Sequence, residues 1–281
     1  MVNANGRLFT FGCSITQYDW PTWADIAGAN FKYFENWGEE GAGNHFIFNS
    51  IIECDIKNNL TPDDTVAIMW TSPARHDYFS VNRWGHTHHV FNTDNKIAPC
   101  PDGYWLTTFS YIYAIDQLLK NRGIPYVIAS WMDYTTIDSK FHSMYNSLIS
   151  KIQFISLSCQ PHRVPKIADI DNLLKLLYTA LSGPDWPSLE DIKRNQYSTT
   201  PEIQKEIEDF WKQLKNDKRV SIALEIDTHP LPGEHLKISK TLFPELDIDS
   251  NVEQWAHYLD SKLKNGEPII FDKHLPERNY D

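Results

Sequence analysis

"RLFTFGCSITQYDWPTW", residues 7–23, decides how the rest of the chain is read. Arg7 to Phe11 form a short apolar run of strand length, and Gly12-Cys13-Ser14 interrupts it where the chain must turn. Pro21, followed by Trp23, Ile26 and Ala27, marks the start of a short helix. A strand turning directly into a helix is the unit of an α/β sheet, and such turns stand at the edge where these folds bind ligands. Ser14 is thus either a turn residue or a nucleophile, and the remaining segments must separate the two.

Working outward, "KYFENWG" reads as a second strand running into a glycine-rich turn, and Asn44 to Asn58 as a helix. "DTVAIMWTS" is the clearest buried strand, with the turn signal "TPDD" in front of it and Thr71 and Ser72 at its end. Residues 73–103 are a long polar excursion, expected as a loop that either carries function or is poorly ordered. Helical spacing returns in "YWLTTFSYIYAIDQLLKNRG", stopped by Gly123 before the strand "IPYVIASW". From Asp133 to about Asn216 the chain reads as mostly helical, an insertion over 133–216 expected to cap the sheet, with the roles of lid and subunit interface both open. An amphipathic helix near "VEQWAHYLDSKLKNG" closes the sequence. The expected fold is α/β: one domain over 1–281, three-layer α/β/α and flavodoxin-like, with a mainly parallel sheet and the helical insertion.

The formal charge of −11, from 37 acidic and 26 basic residues, argues against nucleic acid as a partner, because phosphate-backbone binders depend on clustered Lys and Arg. No apolar run approaches the ~20 residues of a membrane span, and "MVNANGR" lacks the basic start and apolar centre of a secretory signal. A soluble, cytoplasmic protein is the expectation. Cys13, Cys54, Cys100 and Cys159 form no CxxC pair and read as free thiols. The 10 Trp and 13 Tyr suit either a core or a ligand-stacking cleft, and Trp37 and Trp84, beside predicted loops, are candidate walls of such a cleft.

A hydrolytic serine needs a base, a carboxylate to orient the base, and donors for the developing oxyanion. Four segments carry those residue types: Ser14 after the first strand, Gly41 and Asn44 after the second, Ser72 after the third, and Asp227 with His229 near the C-terminus. In these four blocks the sequence resembles the SGNH (GDSL-like) hydrolases. "FGCSIT" matches the family's Gly-Asp-Ser in its Gly and Ser, with Cys13 in place of Asp. "NWGEEGAGN" resembles the second block, which implies an oxyanion role for the Gly41 N–H, with Gly38 or Gly43 as the alternative alignments. "MWTSPARHD" stands where the family has Gly-x-Asn-Asp, so the remaining oxyanion donor falls to Ser72 or to Asn44. "DTHPLPGEHL" resembles the Asp-x-x-His block, one residue shorter. The resemblance implies an ester hydrolase, with Ser14 as nucleophile and N–H donor, His229 as base and Asp227 as orienter. It also implies an acyl-enzyme and no cofactor. Ester substrates, among them O-acetyl groups on a carbohydrate, are the implied partners, and oligomeric state is left open.

Rival readings are kept beside this one. A fold that has lost its oxyanion geometry would be a binding or structural module for glycans or proteins, and an acyl-enzyme intercepted by a sugar hydroxyl would make the chain an O-acyltransferase. "WGHTHHVFNTDNKIAPC" holds the metal-ligand types His86, His88, His89, Asp94 and Cys100, but short His clusters on polar loops are ordinarily solvated, and substrate contact is the preferred role. Cys13 is expected to pack in the core, since successive strand residues face opposite ways. Arg75 and Asp133 follow the third and fourth strands and are candidates for binding a polar substrate, against the plainer roles of ion pair or helix cap.

Overall fold

The computed structural model describes residues 4–80, 83–87, 101–136, 142–157, 161–165, 224–267, 269, 271 and 276. The chain divides into two compact units, Met1–Ser158 with Pro230–Ala256 and Lys273–Asp281 in one, and Cys159–His229 with His257–Asp272 in the other.

In the first unit five strands among the described residues form one parallel sheet: β1 (Arg7–Phe11), β2 (Tyr33–Asn36), β3 (Thr65–Trp70), β6 (Tyr126–Ser130) and β7 (Gln153–Phe154), in the order β2-β1-β3-β6-β7. This is the doubly wound order, with the reversal of direction between β1 and β3. All six residues of β3 are buried, as a parallel strand covered on both faces requires. Helices α1 (Trp23–Gly28), α2 (Asn44–Asn58), α3 (Pro101–Asn121) and α4 (His142–Ile149) make the crossovers. The first crossover runs toward one edge of the sheet and the later ones toward the other, so right-handed connection puts α1 on one face and α2, α3 and α4 on the opposite one. Packing agrees: α1 lies against α5 (Pro232–Leu242), and α2 against α3. Ile26 of α1 meets Leu236 of α5, together with Ile248 and with Ala256 of α6 (Ser250–Lys264). The three-layer α/β/α architecture is thus present.

Local chemistry sets the element ends. Thr22 caps α1 in a capping box with Asp25, two residues later than Pro21 at the first helical position suggests. Asn59 ends α2 at a φ of 47°, and Gly123 follows α3 at a φ of 67°.

Two expectations change. The excursion after β3 contains an antiparallel hairpin, β4 (His76–Ser80) with β5 (Arg83–Thr87), where a loop is expected. Within the expected helical insertion, residues 142–154 supply α4 and β7, which extend the main sheet instead of capping it. Most of the remainder of that insertion lies outside the described residues. In the second unit β8 (His162–Pro165) pairs antiparallel with β9 (Leu224–Asp227), setting His162 opposite Asp227.

Candidate active site

Because β1, β2, β3 and β6 are parallel, their carboxyl ends lie on one edge of the sheet, and the turns that leave them hold Ser14, the 38–43 glycine turn, Ser72 and Asp133. The chain turns at once after β1, with the N–H groups of Thr16 and Gln17 donating to the Cys13 carbonyl at 2.7 and 3.0 Å. Ser14, 4% exposed, sits in this turn, while Cys13 is buried in the main core as a free thiol. Glycine at 12 is required by packing, since a Cβ there would lie 1.9 Å from Thr16 Oγ1. Asn36, at the end of β2, ties the turn down: its Nδ2 donates to Thr16 O at 2.8 Å, and its Oδ1 accepts from Gly38 N at 3.1 Å and from Thr10 Oγ1 at 3.3 Å.

The glycine turn is held at both ends. Glu39 N donates to Gly12 O at 3.1 Å. Gly43 starts α2, and its N–H donates to Asp77 Oδ1 at 2.7 Å while Phe46 N donates to Asp77 Oδ2 at 2.8 Å, so a carboxylate from the hairpin caps the helix. Gly41 between them has a φ of 80°, a conformation that favours glycine. His86 bridges the two acids, with Nδ1 2.8 Å from Asp77 Oδ1 and Nε2 3.0 Å from Glu39 Oε1. Burial works against its charge, but the hydrogen bonds to Asp77 and Glu39 prevail and hold its pKa up at about 9. An imidazolium thus ties the hairpin to the glycine turn at neutral pH.

At the end of β3, Asn44 reads both backbone groups of Thr71: its Oδ1 accepts from Thr71 N at 2.9 Å, and its Nδ2 donates to Thr71 O at 3.0 Å and to Thr108 Oγ1 at 3.1 Å. Tyr134 OH donates to the same carbonyl at 2.6 Å, and burial pushes that phenol's pKa well up. Ser72 Oγ accepts from Ala74 N at 3.2 Å, and Arg75 N donates to Ser72 O at 3.3 Å, which turns Arg75 back toward the glycine turn. There Arg75 Nη1 donates to Ala42 O at 2.9 Å.

The other candidates divide. Asp133 Oδ1 accepts from Thr135 N at 2.9 Å, the helix-cap role. Trp37 is a correction: it has no exposed surface, packs 6.3 Å from Phe11 and donates Nε1 to Glu35 at 2.8 Å, so it belongs to the core and not to a cleft wall. Trp84, on β5, stands edge-on to His45 and Phe46 at 5.4 and 5.5 Å and is partly buried against the core.

In the second unit Asp227 ends β9, and its Oδ1 accepts from His229 N at 2.6 Å and lies 2.9 Å from His229 Nδ1. One carboxylate oxygen therefore fixes both the backbone and the ring of the histidine, which directs Nδ1 to the acid and leaves Nε2 at the opposite edge of the ring. Asp227 is 8% exposed.

The sequence reading passes over Asn36, Glu39 and Asp77 and sees His86 only within a histidine cluster. "NWG" after a strand is a signal for Asn36, since Asn side chains bond the backbone two residues on. Among the described residues no group of His, Cys, Asp and Glu is arranged to hold a metal, and His88, His89, Asp94 and Cys100 lie outside them. No described helix is long and apolar enough to cross a membrane.

No protein-family model matches the sequence, and no curated protein does. Among solved structures the chain is similar to a member of the lipolytic protein G-D-S-L family from Veillonella parvula DSM 2008, at 15% identity and a TM-score of 0.29, over 62% of this chain and 73% of that one. The fold assignment rests on the strand order and the crossovers themselves.

Proposed function

We propose that the protein is a serine ester hydrolase in which Ser14 is the nucleophile, His229 the general base and Asp227 its orienter. The observation that carries this reading is the 2.9 Å contact of Asp227 with His229 Nδ1, in a chain whose first strand ends in a serine turn entered through Gly12. His229 Nε2 takes the Ser14 hydroxyl proton as Oγ adds to the ester carbonyl. The C–O bond to the alcohol then breaks, the alcohol leaves with that proton, and the acyl group stays on Ser14. Water adds by the same route and releases the acid. The N–H groups of Ser14 and Gly41 receive the oxyanion. Of the two candidates for the third donor, Asn44 already donates to Thr71 O and Thr108 Oγ1, which favours the Ser72 hydroxyl. An O-acetyl group on a carbohydrate is the substrate proposed, and a sugar hydroxyl in place of water would make the same acyl-enzyme a transferase.

A second reading has one observation in its favour: with the Asn44 amide engaged at the strand end, the oxyanion site lacks a side-chain amide among the groups weighed for it. On that reading the chain is a glycan- or protein-binding module. Intact-mass labelling by a fluorophosphonate, run with acetyl-ester turnover on the native protein and on Ser14→Ala and His229→Ala, separates the two. The hydrolase reading expects labelling and turnover that both substitutions abolish. A folded native protein that neither labels nor turns over ester overturns it in favour of the binding module.

A further inference from the structure

Three half-buried arginines have described side chains. Arg7 forms two 2.7 Å bonds to Asp64, and Arg122 pairs with Asp55. Arg75 differs: Nη1 donates to Ala42 O at 2.9 Å, the guanidinium lies 6.0 Å from the Trp131 ring centroid, and among the described residues no carboxylate pairs with it. The acids near this part of the edge are committed elsewhere. Asp77 serves Gly43 N, Phe46 N and His86, Glu39 serves His86, and Asp133 serves Thr135. A guanidinium stays charged at any physiological pH, and a partly buried charge without a counter-charge is costly. In a chain with 37 acidic residues to 26 basic ones, an arginine at the ligand edge is thus left, among the described residues, with most of its donors unused by acids.

Its position relates it to the proposed site. The glycine turn touches the Ser14 turn through Glu39 N on Gly12 O at 3.1 Å, and touches Arg75 through Ala42 O at 2.9 Å. One turn, with Gly41 at its centre, therefore spans from the nucleophile's strand end to the guanidinium. The planar fork of arginine fits a carboxylate or a phosphate through two parallel bonds. The adjacent indole face would cover the apolar side of the group that carries the anion.

We propose that Arg75, backed by Trp131, is an anion-recognition group, and that the substrate carries a carboxylate or phosphate beside its scissile ester. This rests on the hydrolase reading for the ester and on Arg75 alone for the anion. The test uses the full chain. Trp131 indole and Ala42 amide NMR signals are followed during titration with succinate, with neutral succinamide and with inorganic phosphate. Turnover of p-nitrophenyl hemisuccinate is compared with that of p-nitrophenyl butyrate. Saturable shifts with succinate or phosphate but not succinamide, lost in Arg75→Gln and weakened in Arg75→Lys, support the proposal; the anion with the lower Kd identifies the source. The hemisuccinate-to-butyrate ratio of kcat/KM is expected to fall about 10- to 100-fold in Arg75→Gln, through KM. Absent shifts in the native protein, or equal shifts in folded Arg75→Gln, overturn it. Anion binding at Arg75 without turnover of either ester leaves the anion site standing and removes the hydrolase.

Discussion

Trp20 donates its indole N–H to the carbonyl oxygen of Pro230 at 2.7 Å, so within the first unit the loop that follows Ser14 is tied to the segment that leads into α5. The indole is 3% exposed and stands edge-on to Tyr18 at 4.5 Å. Trp20→Phe keeps much of the apolar volume and leaves the Pro230 carbonyl without this donor, a loss of about 1–3 kcal/mol. On the hydrolase reading, fluorophosphonate labelling of the folded variant is expected to slow about 10- to 100-fold, because the loop that follows Ser14 loses its anchor and small misplacements of a reacting group are costly. A lower Tm with an unchanged labelling rate would reduce Trp20 to a packing residue.

His86 gives the protein an alkaline limit. Its pKa rises from 6.5 to about 9, so the stability it adds is complete below about 6.5 and is lost as pH rises through about 9. That shift corresponds to roughly 3 kcal/mol. The groups that face the ring are Asp77, Glu39 and the Phe46 ring. Denaturant unfolding measured from pH 6 to 10 should show the decline in the native protein and a flatter profile in His86→Gln.

Ser72→Ala and Asn44→Ala should fail differently. Removing the Ser72 hydroxyl, the proposed oxyanion donor, is expected to lower kcat about 10²-fold with little change in Tm. Removing the Asn44 amide unties Thr71 and Thr108 and should lower stability by roughly 2–4 kcal/mol. Equal kcat in native protein and Ser72→Ala would pass the donor role to another group.

Asp64 precedes β3, at the end of the strand opposite Ser72, and accepts from Arg7 Nε, Arg7 Nη2 and Thr61 N, each at 2.7 Å. Burial disfavours the charged carboxylate, but the bonds from Arg7 and Thr61 outweigh it and hold the pKa below 3.8. Its stabilisation is therefore present above that value and is lost as pH falls through the lowered one. Asp64→Asn should cost about 3 kcal/mol in chemical denaturation and leave the labelling rate of the folded protein alone. A slowed rate would show that the two ends of the sheet are coupled.

Gly12→Ala would put a methyl group 1.9 Å from Thr16 Oγ1 and 2.8 Å from Thr16 Cβ. The overpacking should cost about 1–3 kcal/mol, with Thr16→Ala recovering part of it in the double variant. Additive losses by thermal melting would place the strain elsewhere.

The main strands were legible because their burial is written along the chain: "DTVAIMWTS" is continuously apolar, and all six residues of β3 are buried. The two-residue β7 has no such signature. It exists because Gln153 and Phe154 find open partners in Ala129 and Ser130, a tertiary event that helix-like spacing in the same stretch conceals. The β4–β5 hairpin was hidden for a related reason, since four of the five β4 residues are exposed and no apolar alternation marks it. With the hairpin went the pairing of Asp77 and His86, which sit opposite each other only in its antiparallel register. The Asp227–His229 pair was readable because a spacing of two residues makes it local, whereas Arg75 on Ala42 needs the whole β2-to-β3 crossover to bring it about.

The contact between Gly12 and Thr16 separates two kinds of inheritance. Glycine is needed at position 12 because a threonine side chain occupies the space above it, and that need would be the same whatever residue stood at 14. In a lineage that had abandoned the reaction, selection on folding alone would keep Gly12 and Thr16 while position 14 drifted. On the hydrolase reading, working and silent descendants of this chain would therefore be told apart by the residue at 14, since the glycine that flags the motif would survive in both.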